Sequence, residues 1–503
     1  MNRTQKFFYN SITTGFYQFV VMIVGFITPR VMLKCYGSEI NGLVSSITQF
    51  ISYFNLVEAG LAGAAIYSLY KPLADNNYNE VNGVICAAKK FYTLSGYIFI
   101  SLVFMLALFY PMFISTNVLS PINICFLVIV LGISGALEFF TLSKYRVLLT
   151  ADQKTYVISL ASTVHIFLNT IIIVFLANLR VNIVVLRAIA LTSVYLRSLI
   201  LMVYVKKKYK YINFKVKPNN AALDKRWDAL YLQALGSVQT GAPVILATIF
   251  TNLKMVSVYS IFNMIMTGIN GLLGIFMSGL SASFGEVIAK KEINILQKAY
   301  KEFEFSYYCL ITIIYSVALV TIMPFIRIYT KGIVDINYDI PIIGFLFILN
   351  GLLYNVKTPQ GMLVIAAGMY KETRLQTSIQ GILVVCLGAI LGKKYGIIGI
   401  LIASCISNFY RVIDLLIFIP RNLTKLPIFR SFERVTRIIV AVLIISITCS
   451  WMNIKINNVY HWVIFAILVT IYSTVITITL SYIFEKQQLI NIINRVRHMI
   501  GIK

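Results

Sequence analysis

Two arginines stand where the chain otherwise looks made for lipid. Arg411 lies in SNFYRVIDLLIF (407–418) with Asp414 three residues on, and Arg197 lies in SVYLRSLILMVYVKK (193–207). Arg411 is ten residues before Arg421 and Arg197 nine before Lys206. At ~1.5 Å per residue each stands ~13–15 Å from the basic end of its segment. In a hydrocarbon core of ~30 Å that is near the middle. A guanidinium there costs ~2.5–3.5 kcal/mol on insertion scales, so it faces a wet cavity or a partner rather than lipid. Two such residues at equivalent places in the chain make a positively charged site for an anionic substrate. A second reading stands beside this one for Arg411, because Asp414 shares its helix face and neutralises it in an intrahelical pair. Arg197 is followed by Ser198 and has no acidic neighbour along the chain. Its alternatives are snorkelling or a carbonyl-bonded packing role.

Three carboxyls could couple such a site to an ion gradient. Glu58, in YFNLVEAGLAGAA, lies among small residues that let helices pack closely. A buried carboxyl there, with its proton affinity raised, could exchange a proton in each cycle; a hydrogen-bonded kink stabiliser is the structural alternative. Glu138 and Asp414 are further candidates, and H+ or Na+ is the coupling ion expected. Arg30, after Pro29, and Lys357, before Pro359, extend a basic cavity wall or reach headgroups. His165, in STVHIFLN, reads as a satisfied core histidine, and Arg187 as a snorkelling side chain. No GxxxxGK[ST], HExxH or acidic metal cluster occurs in the sequence, and no serine or histidine nucleophile pattern can be assembled. The seven cysteines include no CxxC pair and read as small hydrophobes. The expectation is therefore a protein without cofactor, metal or catalysis, not driven by ATP bound to this chain.

The elements that must position these residues are transmembrane helices. Hydrophobic residues make up 59% of the chain and charged ones only 12%, with mean hydropathy +0.82, and the apolar runs last about 20 residues, the length of a spanning helix. Such runs fall at 10–33, 41–66, 84–110, 118–142, 155–177, 181–205, 229–252, 255–284, 303–329, 336–361, 373–392, 396–419, 435–453 and 459–483, which predicts an all-α polytopic protein of fourteen helices. With both termini cytoplasmic, 31 of the 44 lysines and arginines fall on the inside. The net charge of +26 is then mostly a topology signal, and nucleic acid is not an expected partner. The basic loop KKKYKYINFKVK (206–217) is expected on anionic phospholipid of the inner leaflet.

Sliding the chain on itself by about 215 residues brings LLTADQKT (148–155) onto VIAAGMYKET (364–373), FYPMFI (109–114) onto IMPFIR (322–327), and Arg197 onto Arg411. Six helices separate the copies, so the halves are expected as parallel repeats around a central cavity, working by alternating access. The expected organisation is a six-helix bundle over 1–208, a basic cytoplasmic linker over 209–228, a second six-helix bundle over 229–422, and two further helices with a cytoplasmic tail over 423–503.

The hairpin PRVMLKCYGSEINGLVSSITQFISYFNLVEAGLAGAAIYSLYKPLAD (29–75) and the loop TADQK (150–154) resemble the polysaccharide exporters, the Wzx-type flippases of the MATE-like MOP superfamily. The resemblance covers essentially the whole chain. It implies movement of undecaprenyl-pyrophosphate-linked oligosaccharide across a bacterial plasma membrane, driven by an ion gradient through a cationic interior, and polysaccharide polymerase machinery as a partner. A lipid II flippase and a MATE-like drug or metabolite antiporter are the alternatives. The second fits less well, since cationic drugs prefer acidic, aromatic cavities.

Overall fold

A computed structural model describes residues 3–58, 61–114, 116, 118–220, 226–277, 280–451 and 456–500, and these fold almost wholly as α-helix. Two compact units, Met1–Met264 and Ile265–Lys503, divide the chain inside a helix. The first holds α1 (Arg3–Phe54), α2 (Leu61–Ala74), α3 (Tyr78–Phe113), α4 (Pro121–Leu137), α5 (Ser143–Ala151), α6 (Thr155–Asn178), α7 (Ile183–Lys208), α8 (Arg226–Phe250) and the start of α9 (Leu253–Met277). The second holds the rest of α9, then α10 (Leu280–Ala289), α11 (Ile293–Tyr329), α12 (Pro341–Val356), α13 (Thr358–Ala367), α14 (Arg374–Ile419), α15 (Ile428–Ser450) and α16 (Val459–Ile500).

Among the described residues, eleven helical stretches are long and apolar enough to cross a membrane, and the chain is a multi-pass membrane protein. Two of these stretches bend sharply at a glycine. Tyr9–Ala74 runs 66 residues and Arg374–Thr424 runs 51. At ~1.5 Å per residue the first alone is roughly three times the thickness of a hydrocarbon core. Gly37 (φ 79°, ψ 176°) breaks the first stretch and Gly396 (φ 60°, ψ −140°) the second. Side chains with a Cβ avoid both conformations, so glycine is what allows each bend.

Helices extend beyond the apolar runs that reveal them. The fourth predicted segment, 118–142, continues as helix to Ala151, so Lys144 and Arg146 lie on a helix rather than in the loop expected there. The ninth, 303–329, starts ten residues earlier at Ile293. Hydropathy marks only the part of a helix that touches hydrocarbon, whereas the backbone ladder continues until a cap or turn stops it.

The core of the first unit packs Phe99 and Phe139 with ring centroids 5.1 Å apart, beside the buried Ile47, Leu61 and Leu127. Large apolar side chains such as Phe104, Phe109 and Phe113 on α3 stay exposed. Such a face is what lipid would cover. The basic loop after α7 folds back onto the first unit by its aromatic residues while its lysines point out. Tyr211 stacks on Tyr78 at 4.0 Å, and Phe214 takes the ammonium groups of Lys89 and Lys144 over its ring. Tyr209 Oη donates to Asp152 at 2.6 Å. Burial, followed by the Asp152 carboxylate, raises the phenol pKa values of Tyr209 and Tyr211, the latter to about 12. Residues 221–225 of the expected linker lie outside the described residues.

Candidate functional site

Each unit holds one of the two arginines, and each arginine carries an acidic partner. In the first unit the site is built where the helix of α4 widens. Ser120 caps α4 and Pro121 occupies its first turn, and at Glu138–Leu142 the chain makes a π-helical turn before α5 begins. A π-turn inserts one residue, and such bulges recur at functional sites because they re-aim a side chain. Here Phe139 stays buried against Phe99 while Glu138 points to Arg197 of α7, with which it forms an ion pair. Arg146, two turns on, approaches the other oxygen of Glu138 at 3.4 Å. Ser143 Oγ donates to the Glu138 carbonyl at 3.0 Å and satisfies the loosened backbone.

Arg197 is well buried and its Nε has no hydrogen-bond partner, so the guanidinium keeps donors unspent. Sequence proximity gave Arg197 no acidic neighbour, and the structure corrects this. Glu138 lies 59 residues away and reaches it from a neighbouring helix. Only i±3 and i±4 partners can be read along one helix.

Glu58 ends a short 3₁₀ turn, Asn55–Glu58, that interrupts the helix after α1. It lies within electrostatic reach of Arg146 and Glu138. The freed Val57 carbonyl accepts from Ser95 Oγ at 3.3 Å. His165 on α6 lies in the field of Arg197 and Glu138, with Nδ1 buried and without a hydrogen-bond partner. The structure thus gathers Glu58, Glu138, His165 and Arg197 in one region and adds Arg146, which sequence reasoning had assigned to a loop. The signal for Arg146 was its spacing: eight residues after Glu138 is a little over two turns, on the same face. Arg30 is half-buried on α1, seven residues before the Gly37 bend.

In the second unit, Arg411 and Asp414 pair within α14, three residues apart. Lys357, between α12 and α13, is 8% exposed. Its Nζ donates to Asn408 Oδ1 at 2.8 Å and lies 4.9 Å from the Tyr354 ring centroid. Asn408 is fixed in turn by Asn350 at 2.8 Å and Gln380 at 3.1 Å. Arg411 is the charged group in whose field Lys357 sits. The region thus holds two basic side chains and one carboxylate, which pairs with Arg411, while Lys357 has the neutral partners Asn408 and Tyr354. Burying a charge is expensive unless it is paired, so this region is complementary to a further anion.

A third cluster was not foreseen. Arg434 on α15 binds Glu485 on α16 through Nε at 2.9 Å and through Nη2, and binds Glu304 on α11 through Nη1 at 2.7 Å. Tyr300 (3.0 Å), Gln360 (2.9 Å) and Ser431 (3.1 Å) all donate to the same oxygen of Glu304. No group of three or more His, Cys, Asp or Glu suited to a metal occurs among the described residues.

No family model and no curated protein matches the sequence. Solved structures do match in fold. The chain is similar to an inward-facing multidrug resistance MATE family transporter of the MOP superfamily, at TM-score 0.67 and 13% identity over 85% of this chain and 98% of that one. It is similar to the lipid II flippase MurJ in an inward closed conformation, at TM-score 0.68 and 16% identity over 94% of this chain and 99% of that one. A MOP superfamily transporter from Pyrococcus furiosus, described by the reverse polarity of its binding pocket, matches at TM-score 0.58 and 14% identity over 87% and 97%. At these identities the likeness is one of fold alone, and the fold is the one these MOP-superfamily structures share.

Proposed function

We propose that the chain is a flippase that carries undecaprenyl-pyrophosphate-linked oligosaccharide across the bacterial plasma membrane, by alternating access coupled to an H+ or Na+ gradient. The observation that carries this reading is Lys357, a buried basic side chain with only neutral partners, in the field of an arginine whose carboxylate partner is Asp414. An anionic cargo completes such a site, and a diphosphate does so best, because guanidinium and ammonium together can bind both of its phosphates. A cationic drug would meet the wrong sign.

In this reading Glu138 and Asp414 occupy the places that phosphate oxygens take in the loaded state. The cargo displaces them from Arg197 and Arg411, and each displaced carboxylate becomes easier to protonate once its cation is gone. Cargo binding and proton uptake are then linked through the same arginines, with Glu58 as a further carboxyl beside Arg146. Arg30 would extend the basic wall. The proposal counts fourteen crossings: Tyr9–Ala74 and Arg374–Thr424 each fold into two at their glycine bends, and α15 adds one. It keeps both termini cytoplasmic and the two halves as parallel repeats, with surface-polymer synthesis consuming the cargo.

A lipid II flippase is the second reading, favoured by the match over 94% of this chain to a protein of that description. One experiment tests both. Purified protein is placed in vesicles holding fluorescent undecaprenyl-pyrophosphate oligosaccharide or fluorescent lipid II in the inner leaflet, and outward movement is read with a membrane-impermeant quencher. Movement of the oligosaccharide, lost in Lys357→Met, is the expected result. Movement of lipid II alone selects the second reading, and an inactive wild type with both cargoes overturns the flippase proposal.

A further inference from the structure

A groove of about 810 Å³ lies between the start of α15 and the end of α16, within the second unit. We propose that it is a binding site for one phospholipid whose headgroup carries both a phosphate and a primary amine, as phosphatidylethanolamine does. The argument starts from two polar atoms in its lining that are buried and lack a hydrogen-bond partner. One is a donor, Nη2 of Arg430, and the other an acceptor, Oε1 of Gln488. Buried polar groups left without a hydrogen bond are costly, so a native site with one of each kind calls for a ligand offering an acceptor and a donor together.

The charges in the lining agree. Arg430 approaches Glu485 only to 3.8 Å, whereas Arg434 and Arg437 already saturate that carboxylate. Arg430 is therefore the most weakly paired of the three arginines around Glu485. Glu433, three residues on and exposed, supplies a carboxylate on the same lining. A phosphate on Arg430 and an ammonium shared by Glu433 and Gln488 satisfy all three groups. A glycerol headgroup could give Gln488 a hydroxyl but would offer Glu433 no cation, and a headgroup with no donor would meet neither.

The ligand is a lipid because of where the groove opens. Phe429 and Phe484, both in the lining, are 73% and 62% exposed, and Ile439, Leu443 and Ile483 continue the apolar outer faces of the two helices. The polar end lies beside the basic segment of Arg421 and Lys425, at one end of the two helices, where headgroups sit. The bend of α16 at Glu485 (φ −138°, ψ 49°) marks the change from apolar helix to the polar stretch that contributes Gln488. The volume is within the range of ordinary ligand pockets, enough for a headgroup and the first part of its chains.

Native mass spectrometry of the full-length protein, titrated with phosphatidylethanolamine, phosphatidylglycerol and phosphatidylcholine, tests this. Phosphatidylethanolamine should bind roughly tenfold more tightly than the other two, since phosphatidylglycerol has no amine and the choline nitrogen no N–H. Arg430→Gln should weaken all three lipids, and Glu433→Gln should bring phosphatidylethanolamine down to the level of phosphatidylglycerol. Neither residue belongs to the Arg434 network at hydrogen-bond distance, and Gln488→Leu, a third, neutral variant, should weaken phosphatidylethanolamine and phosphatidylglycerol, whose headgroups can donate to it, and leave phosphatidylcholine unchanged. Equal binding of the three lipids, or retention unchanged in Arg430→Gln, overturns the proposal and leaves only unspecific annular lipid.

Discussion

Arg197 of α7 and Arg434 of α15 are alike in that each guanidinium meets a glutamate from another helix. They differ in what remains unspent. Arg434 is 3% exposed, with bonds to Glu485, Glu304 and the Lys301 carbonyl, and its two carboxylate partners are themselves saturated. Arg197 has Glu138 as partner, its Nε is unbonded, and Glu138 is open enough to be shared with Arg146. A guanidinium whose donors are all used ties helices together. One with donors in hand can change partners, and only that kind can bind a cargo and let it go.

Four measurements break or sharpen this contrast. Arg434→Ala leaves Glu304 and Glu485 buried without their shared cation and should cost about 3–5 kcal/mol, seen as a large drop in the thermal unfolding midpoint in detergent. Arg197→Ala should barely move that midpoint but cut flipping by on the order of 30-fold or more, as expected when a charged contact to the cargo is removed. If Arg197→Ala were as unstable as Arg434→Ala, the distinction between the two arginines would be gone. Glu138→Gln removes the internal competitor for Arg197, so diphosphate binding measured by calorimetry should tighten ~10-fold while turnover falls. Asp414→Asn should act in the same direction by only about threefold, because an intrahelical pair three residues apart is a weaker competitor. A Glu138→Gln protein that bound diphosphate no better, or turned over faster, would show that the carboxylate does not stand in the cargo's place.

Much of the fold was legible from hydropathy. The described residues of every predicted apolar segment are mostly helical, because lipid forces the backbone to satisfy itself within the segment. Arg411 beside Asp414 was equally legible, since both residues share one helix face. Lys357 was visible as an oddity before a proline, but its cradle of Asn350, Gln380 and Asn408 was not, for these residues come from segments far apart in the chain. Glu304, Arg434 and Glu485 were passed over entirely. Each lies near the end of an apolar run, where a charged residue reads as interfacial, and their mutual burial exists only once α11, α15 and α16 pack.

The sequence by itself determined that the chain forms many apolar helices long enough to cross a membrane and that charged side chains lie inside those runs. Those are consequences of transfer free energy and local backbone geometry, both of which act residue by residue. Which carboxylate meets which arginine was decided by tertiary packing alone. Pairing depends on distances of a few ångströms between helices far apart in the chain, and no local rule of periodicity or propensity carries that information.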